Sequence, residues 1–195
     1  MDTKSNAGVL QKSGIKTQEM VLCALFTSLI AVGAFIKIPV PVVPFTLQFL
    51  FTMMAGLLLG GRLGAFSVLA YIVIGLAGLP VFAEGGGIGY ILKPSFGYII
   101  GFMAASYVTG RIANQMKAPS YIRLLAANFM GLVIVYVCGM VYYYLIANFV
   151  TDTLIGIWPL FLYCFILAVP GDIMLCILSA VLAKKLIPIV SRMQR

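Results

Sequence analysis

Five residues of this 195-residue chain carry a side-chain carboxylate. One of them, Asp172, stands inside an apolar stretch, in Ala168-Val169-Pro170-Gly171-Asp172. A carboxylate held mid-span in hydrocarbon is costly unless paired or hydrated, so such residues mark functional sites. Pro170 and Gly171 loosen a helix just ahead of it and free carbonyl groups toward a cavity. A cation that could answer it is Lys93, in the run from Gly75 to Phe102. There Leu79-Pro80 breaks an apolar segment and Gly85-Gly86-Gly87 follows. Lys93 comes next, held beside Pro94 and just before the helix start at Gly97-Tyr98. Glu84 is placed to neutralise Lys93 or to offer a second polar contact. Gln48 and Thr46 put an amide and a hydroxyl at the top of another apolar segment. Aromatic rings in the same break complete the set. One anion, one cation, an amide and several rings suit a small, mostly apolar solute with a carboxylate at one end and hydrogen-bond donors at the other. A structural ion pair between Asp172 and Lys93 is the plainer alternative.

The elements that position these groups are membrane segments. The chain is 63% hydrophobic and 9% charged, against about 25% charged in a soluble domain. Apolar runs at Met20–Ile36, Phe45–Leu59, Leu63–Leu79, Phe96–Thr109, Leu124–Phe149 and Pro159–Ala183 predict six transmembrane helices, each near the length needed to cross a core of about 30 Å. Ile38 to Gln48 holds Pro39, Pro41 and Pro44 and reads as an extended connection. With the N-terminus inside, eleven of the thirteen lysines and arginines fall on the inner side, and Lys37 and Lys93 alone lie outside. That asymmetry predicts cytoplasmic N- and C-termini and an outward-facing glycine-rich break. The expected fold is an all-α integral membrane protein. Residues 1–19 form a cytosolic lead-in and residues 20–195 a single six-helix domain. The first apolar run follows a basic start and could imitate a secretory signal peptide, but its length and the spans after it favour a retained helix.

Several activities are disfavoured by what the chain lacks. It has no histidine, which removes H-E-x-x-H zinc sites and Ser-His pairs. The four cysteines sit in apolar runs without a C-x-x-C spacing and read as small hydrophobes rather than metal ligands. Basic residues are spread over connections, so the charge of +8 points to topology and not to nucleic acid. Isolated charges without a repeated filter disfavour a channel. No G-x-x-x-x-G-K-[ST] loop is present, so ATP would be hydrolysed by partners and no cofactor is expected on this chain. A stripe of small residues on the first helix, including Ala24, Ser28 and Ala31, allows close approach of another helix. The protein's own helices and a partner's fit that stripe equally.

Read in order, Pro41-Val42-Val43-Pro44-Phe45-Thr46-Leu47-Gln48, Gly75-Leu76-Ala77-Gly78-Leu79-Pro80-Val81-Phe82, the glycine cluster, the run from Lys93 to Phe102, and Pro170-Gly171-Asp172 resemble the BioY biotin transporters. Those proteins are substrate-binding S components of energy-coupling factor (ECF) transporters, and the likeness extends over nearly all six spans. The resemblance implies capture of biotin from outside the cell membrane, and uptake driven by a transmembrane T component and two cytosolic ATPases. By position, Asp172 and Lys93 match charged residues of the family's biotin site, and Tyr98 and the loop Phe82–Gly87 lie in its substrate-enclosing region. Ala24, Ser28 and Ala31 correspond to its docking face for the T component. Glu84 before the glycines departs from the family, where an amide-bearing residue is expected. On this basis Asp172 would accept a ureido N–H, a charge-assisted bond, and Lys93 would meet the valerate carboxylate. The alternative is a stand-alone secondary transporter or facilitator for biotin or another small vitamin-like acid.

Overall fold

A computed structural model describes residues 16–38, 45–116, 118–151, 155–166 and 168–193. Its centre is a short helix, α2 (Gln48–Leu59), which follows α1 (Thr17–Phe35) and whose residues are buried all round except half-buried Phe51. It carries no charge, and α3 (Gly61–Leu76), α4 (Phe96–Ala113) and α7 (Val169–Met193) join α1 in packing around it. A helix apolar on every face belongs inside a bundle or a bilayer. At about 1.5 Å per residue α2 reaches only about 18 Å, so it depends on its neighbours for cover. The chain reverses into α3 through one residue, Gly60, whose φ of +87° is unfavourable to a residue with a Cβ. A Cβ on Gly110 of α4 would lie 2.4 Å from Gly61 N and 2.5 Å from Gly56 O. Glycine there lets the three backbones meet.

Between α1 and α2, β1 (Lys37–Ile38) pairs antiparallel with β2 (Phe45–Thr46), Lys37 opposite Thr46. The expected proline-rich connection is therefore flanked by a small ladder that the sequence reading did not include; Pro39, Pro41 and Pro44 lie outside the described residues. After α3, a loop leads to a 3₁₀ turn (Ile88–Leu92) and then to α4. Long α5 (Tyr121–Phe149) packs along α4.

The expected sixth helix is not continuous. It consists of α6 (Ile157–Phe161), a π-helical turn (Leu162–Ile166) and α7. Pro170 contributes to the interruption: without an N–H it cannot bond back to the preceding turn, and it is tolerated in the first turn of a new helix. Asp172 thus lies in the first turn of α7 rather than mid-helix. The positive end of the helix dipole favours a carboxylate there.

Large apolar side chains face outward on several helices, among them Val21, Val73, Val133 and Met174. Among the described residues, Thr17–Phe35, Tyr121–Phe149 and Ile157–Arg192 are long and apolar enough to cross a membrane; Gln48–Leu59 and Gly61–Leu76 are shorter apolar helices.

Candidate functional site

Four of the residues singled out from sequence, Thr46, Gln48, Tyr98 and Asp172, line one cavity of about 70 Å³. They reach it from β2, α2, α4 and α7. Apolar and aromatic residues fill in the wall: Phe45, Phe49, Ile99, Phe102, Val135 and Tyr90, with Ser95 and Cys164 beside them.

Asp172 is 8% exposed and accepts a 2.5 Å hydrogen bond from the Tyr136 hydroxyl on α5. Tyr136 lines the cavity too, and sequence inspection did not find it. Its ring is edge-on to Tyr98 at 6.1 Å and to Phe165 of the π turn at 5.3 Å. The Tyr98 hydroxyl is buried without a nitrogen or oxygen hydrogen-bond partner and faces only the weakly accepting Cys164 thiol. Buried polar atoms are nearly always satisfied, so an orphan in a cavity wall points to a ligand group. Gly171 contributes by lacking a side chain: a Cβ there would stand 2.7 Å from the Phe45 ring. The β2 strand can close over α7 for that reason.

The loop between α3 and α4 roofs this region, and its details correct part of the sequence expectation. Phe82 is 1% exposed but does not line the cavity. Its ring lies over Gly75, where a Cβ would come within 2.1 Å, and packs on Tyr71 at 5.2 Å and Tyr90 at 4.5 Å. It is a wedge behind the wall. Gly86 likewise serves packing, since a Cβ would meet the Leu79 carbonyl oxygen at 2.1 Å. The 3₁₀ turn is held by Tyr142 of α5, whose hydroxyl donates to Ile91 O at 2.5 Å. This brings buried Tyr90 to the cavity. Burial pushes the Tyr90 phenol above its ordinary pKa, against the opposing hydrogen bond from Ser95.

Lys93 and Glu84 pair with each other outside the lining. Lys93 Nζ lies 3.5 Å from Glu84 Oε2 and donates to Glu84 O at 3.0 Å, with the Tyr90 ring centroid 5.1 Å away. Their side chains are 43% and 40% exposed. The structure therefore brings Lys93 to the rim, one ring away from the cavity, and not to Asp172. A second amine, Lys37, donates to Ala83 O at 2.9 Å. Two lysines clip neighbouring carbonyls of the same loop, and the role of Lys37 there was not legible from sequence.

Away from the residues of this cavity, exposed Ala24 and Ser28 line a separate groove with Phe66, Ala70 and Ile74 of α3. Ser28 Oγ is turned back onto Ala24 O at 3.0 Å. Ala31 is half-buried against the core. No group of three histidine, cysteine or acidic residues able to hold a metal occurs among the described residues.

Comparison with known proteins places this architecture. The profile of the BioY family matches residues 4–192. The chain belongs to the BioY family. It is 46% identical over 170 residues to the probable biotin transporter BioY of Lysinibacillus sphaericus, covering 87% of each chain. To the biotin transporter BioY of Rhizobium etli it is 31% identical over 182 residues, covering 87% of this chain and 93% of the relative. Its fold matches the crystal structure at 2.1 Å of the S-component for biotin from an ECF-type ABC transporter. The TM-score is 0.76 at 28% identity, over 87% of this chain and 90% of the other. A BioY chain with an apolar exterior of this kind is a membrane protein.

Proposed function

We propose that this chain captures biotin on the outer side of the cell membrane and delivers it inward as the S component of an ECF transporter. Its relatives are named as transporters, and it is a carrier of substrate rather than an enzyme. The observation that carries the site assignment is a buried carboxylate, Asp172, in an otherwise largely apolar cavity that also holds an amide, a hydroxyl and a phenol whose only polar neighbour is a thiol. Biotin offers matching groups: a ureido ring with two N–H donors and a carbonyl, an apolar thiophane and chain, and a carboxylate. In this reading Asp172 accepts a ureido N–H, and the Tyr98 hydroxyl donates to the ureido carbonyl. Thr46 and Gln48 bound the same end. The tail runs past Tyr90 to the rim, where Lys93 meets the carboxylate by leaving Glu84. Phe82 and Gly86 shape the loop from behind.

Pockets that enclose drug-sized ligands span about 300–1,000 Å³, well above the volume found here. Binding therefore moves the outer loops and the α6–α7 segment apart, and the π turn that carries Cys164 is a helix irregularity of the kind frequent at functional sites.

Six crossings, with α6 and α7 together forming the last and both termini in the cytoplasm, fit the charge asymmetry. Residues 20–195 act as one domain behind a cytosolic lead-in. The chain needs no cofactor. A T component docks on Ala24, Ser28 and Ala31, and two ATPases beyond it supply the energy. The groove beside Ala24 and Ser28 supports that docking.

Binding of radiolabelled biotin to the purified chain tests the capture step; saturable binding is expected, and its absence would end the proposal. Leucine at Ala24, Ser28 and Ala31 is expected to abolish co-purification with a T component while leaving biotin binding intact. Uptake that persists without ATP and follows the proton gradient would instead favour a stand-alone carrier.

A further inference from the structure

Tyr71 is absent from the cavity wall, yet its hydrogen bonds decide what the wall presents. It is fully buried on α3, with its hydroxyl 3.1 Å from the Val81 carbonyl oxygen and 2.7 Å from Gln48 Nε2. A backbone carbonyl only accepts, so the phenol proton goes to Val81. The phenol oxygen then has lone pairs alone to offer Gln48, and the amide must turn its NH₂ toward Tyr71. The reversed amide would set two acceptors against each other in a buried place, a costly arrangement. The Gln48 carbonyl is left on the side of Thr46, which also lines the cavity and whose hydroxyl donates to Oε1 at 3.4 Å; the second lone pair of Oε1 stays available to a ligand.

We propose that Tyr71 is a positioning residue that fixes Gln48 as a hydrogen-bond acceptor in the cavity, so that Asp172 and Gln48 together select a ligand ring bearing two N–H groups. This rests on the biotin reading above. A site built from two buried acceptors rejects a ligand that presents an acceptor in place of either donor, because a wall group is then left unpaired. The polarity of the wall is set two shells away, by the carbonyl of Val81 in the roofing loop. Tyr71 therefore also makes the correct amide orientation depend on that loop being in place.

The test compares biotin with its two ring analogues in which one or the other ureido N–H is replaced by oxygen, measured on the full chain in detergent. In the parent chain each replacement is expected to weaken binding by at least about tenfold. In Tyr71→Phe the amide is free to turn and donate. The penalty at one ring position should then fall to within about threefold while the penalty at the other, facing Asp172, persists. A residue that only supports the fold would lower all three affinities by one factor and leave both ratios unchanged; that result overturns the proposal. Gln48→Leu removes the acceptor without touching Tyr71 and predicts the same loss of one ratio, so it decides the matter if Tyr71→Phe does not fold. Both ratios unchanged in Gln48→Leu would equally overturn it. A parent chain that fails to bind biotin removes the transport reading and this inference with it, whereas binding without either ratio shift removes this inference alone.

Discussion

Asp172 and Lys93 form a natural pair on paper, one acid and one amine in a chain poor in both, but they occupy opposite settings. Asp172 is held in the first turn of α7, 8% exposed, with a tyrosine hydroxyl on one oxygen and apolar rings around it. Lys93 lies on the rim with 43% of its side chain exposed, already engaged by a carboxylate and a carbonyl. Water screens the second and not the first. An exposed ion pair is worth about 0–1 kcal/mol, whereas a hydrogen bond to a buried charge contributes about 1.5–3 kcal/mol and costs more when one side is left alone. The inner end of the site should therefore dominate affinity and the outer end should tune access and rate.

The largest effect expected is at Asp172. Asp172→Asn keeps the shape and removes the charge, and biotin affinity should fall roughly 10–100-fold in equilibrium binding of labelled vitamin. A change below about twofold would mean that the carboxylate is structural. Phe82→Ala comes next. Emptying the space over Gly75 should cost about 3–5 kcal/mol of local packing, visible as earlier proteolysis of the loop and faster biotin release. Unaltered cleavage and release would show that the roof is held by the lysine clips alone. Tyr136→Phe should weaken binding by roughly tenfold. Combined with Asp172→Asn it should add little, because the two share one bond. Full additivity would separate them. Lys93→Ala is expected to lower affinity by no more than about fivefold, and Glu84→Gln, which frees the amine, to raise it slightly or leave it unchanged. A loss at Lys93 as large as that at Asp172 would erase the distinction between the two ends.

Much of this contrast was legible in the sequence, and the part that was not has a physical cause. Apolar length located the helices, and the isolation of Asp172 in hydrocarbon singled it out as a candidate before any fold was known; the fold places it in a cavity wall. Gln48 and Thr46 were picked out by their places at the top of a segment and Tyr98 by the family resemblance, and the fold brings all three to one cavity. Tyr136 stayed hidden because a tyrosine inside an apolar run has no distinguishing mark; only packing of α5 against α7 gives it a carboxylate. Phe82 and Gly86 were named as site residues through the family resemblance of their loop. The fold shows both under steric constraint behind the wall, and a sequence does not show that Gly75 has a ring above it. The break ahead of α7 was signalled by Pro170 and Gly171, and its extent, a π turn followed by a fresh helix start, depends on the neighbouring helices. Lys93 was read as a ligand partner near the outer surface because topology does not account for an outer cation. The fold shows it engaged by the carboxylate and carbonyl of Glu84.

The most direct measurement uses the parent chain and alters the ligand one end at a time. Affinity for biotin is compared with that for its primary amide, which neutralises the tail, and for an analogue lacking one ureido N–H. The account predicts that the amide loses no more than about fivefold, as expected of an exposed pair, and that loss of the N–H costs at least about tenfold. A large loss for the amide together with an unchanged affinity for the ureido analogue would contradict it, placing the recognition at the rim and not in the buried wall.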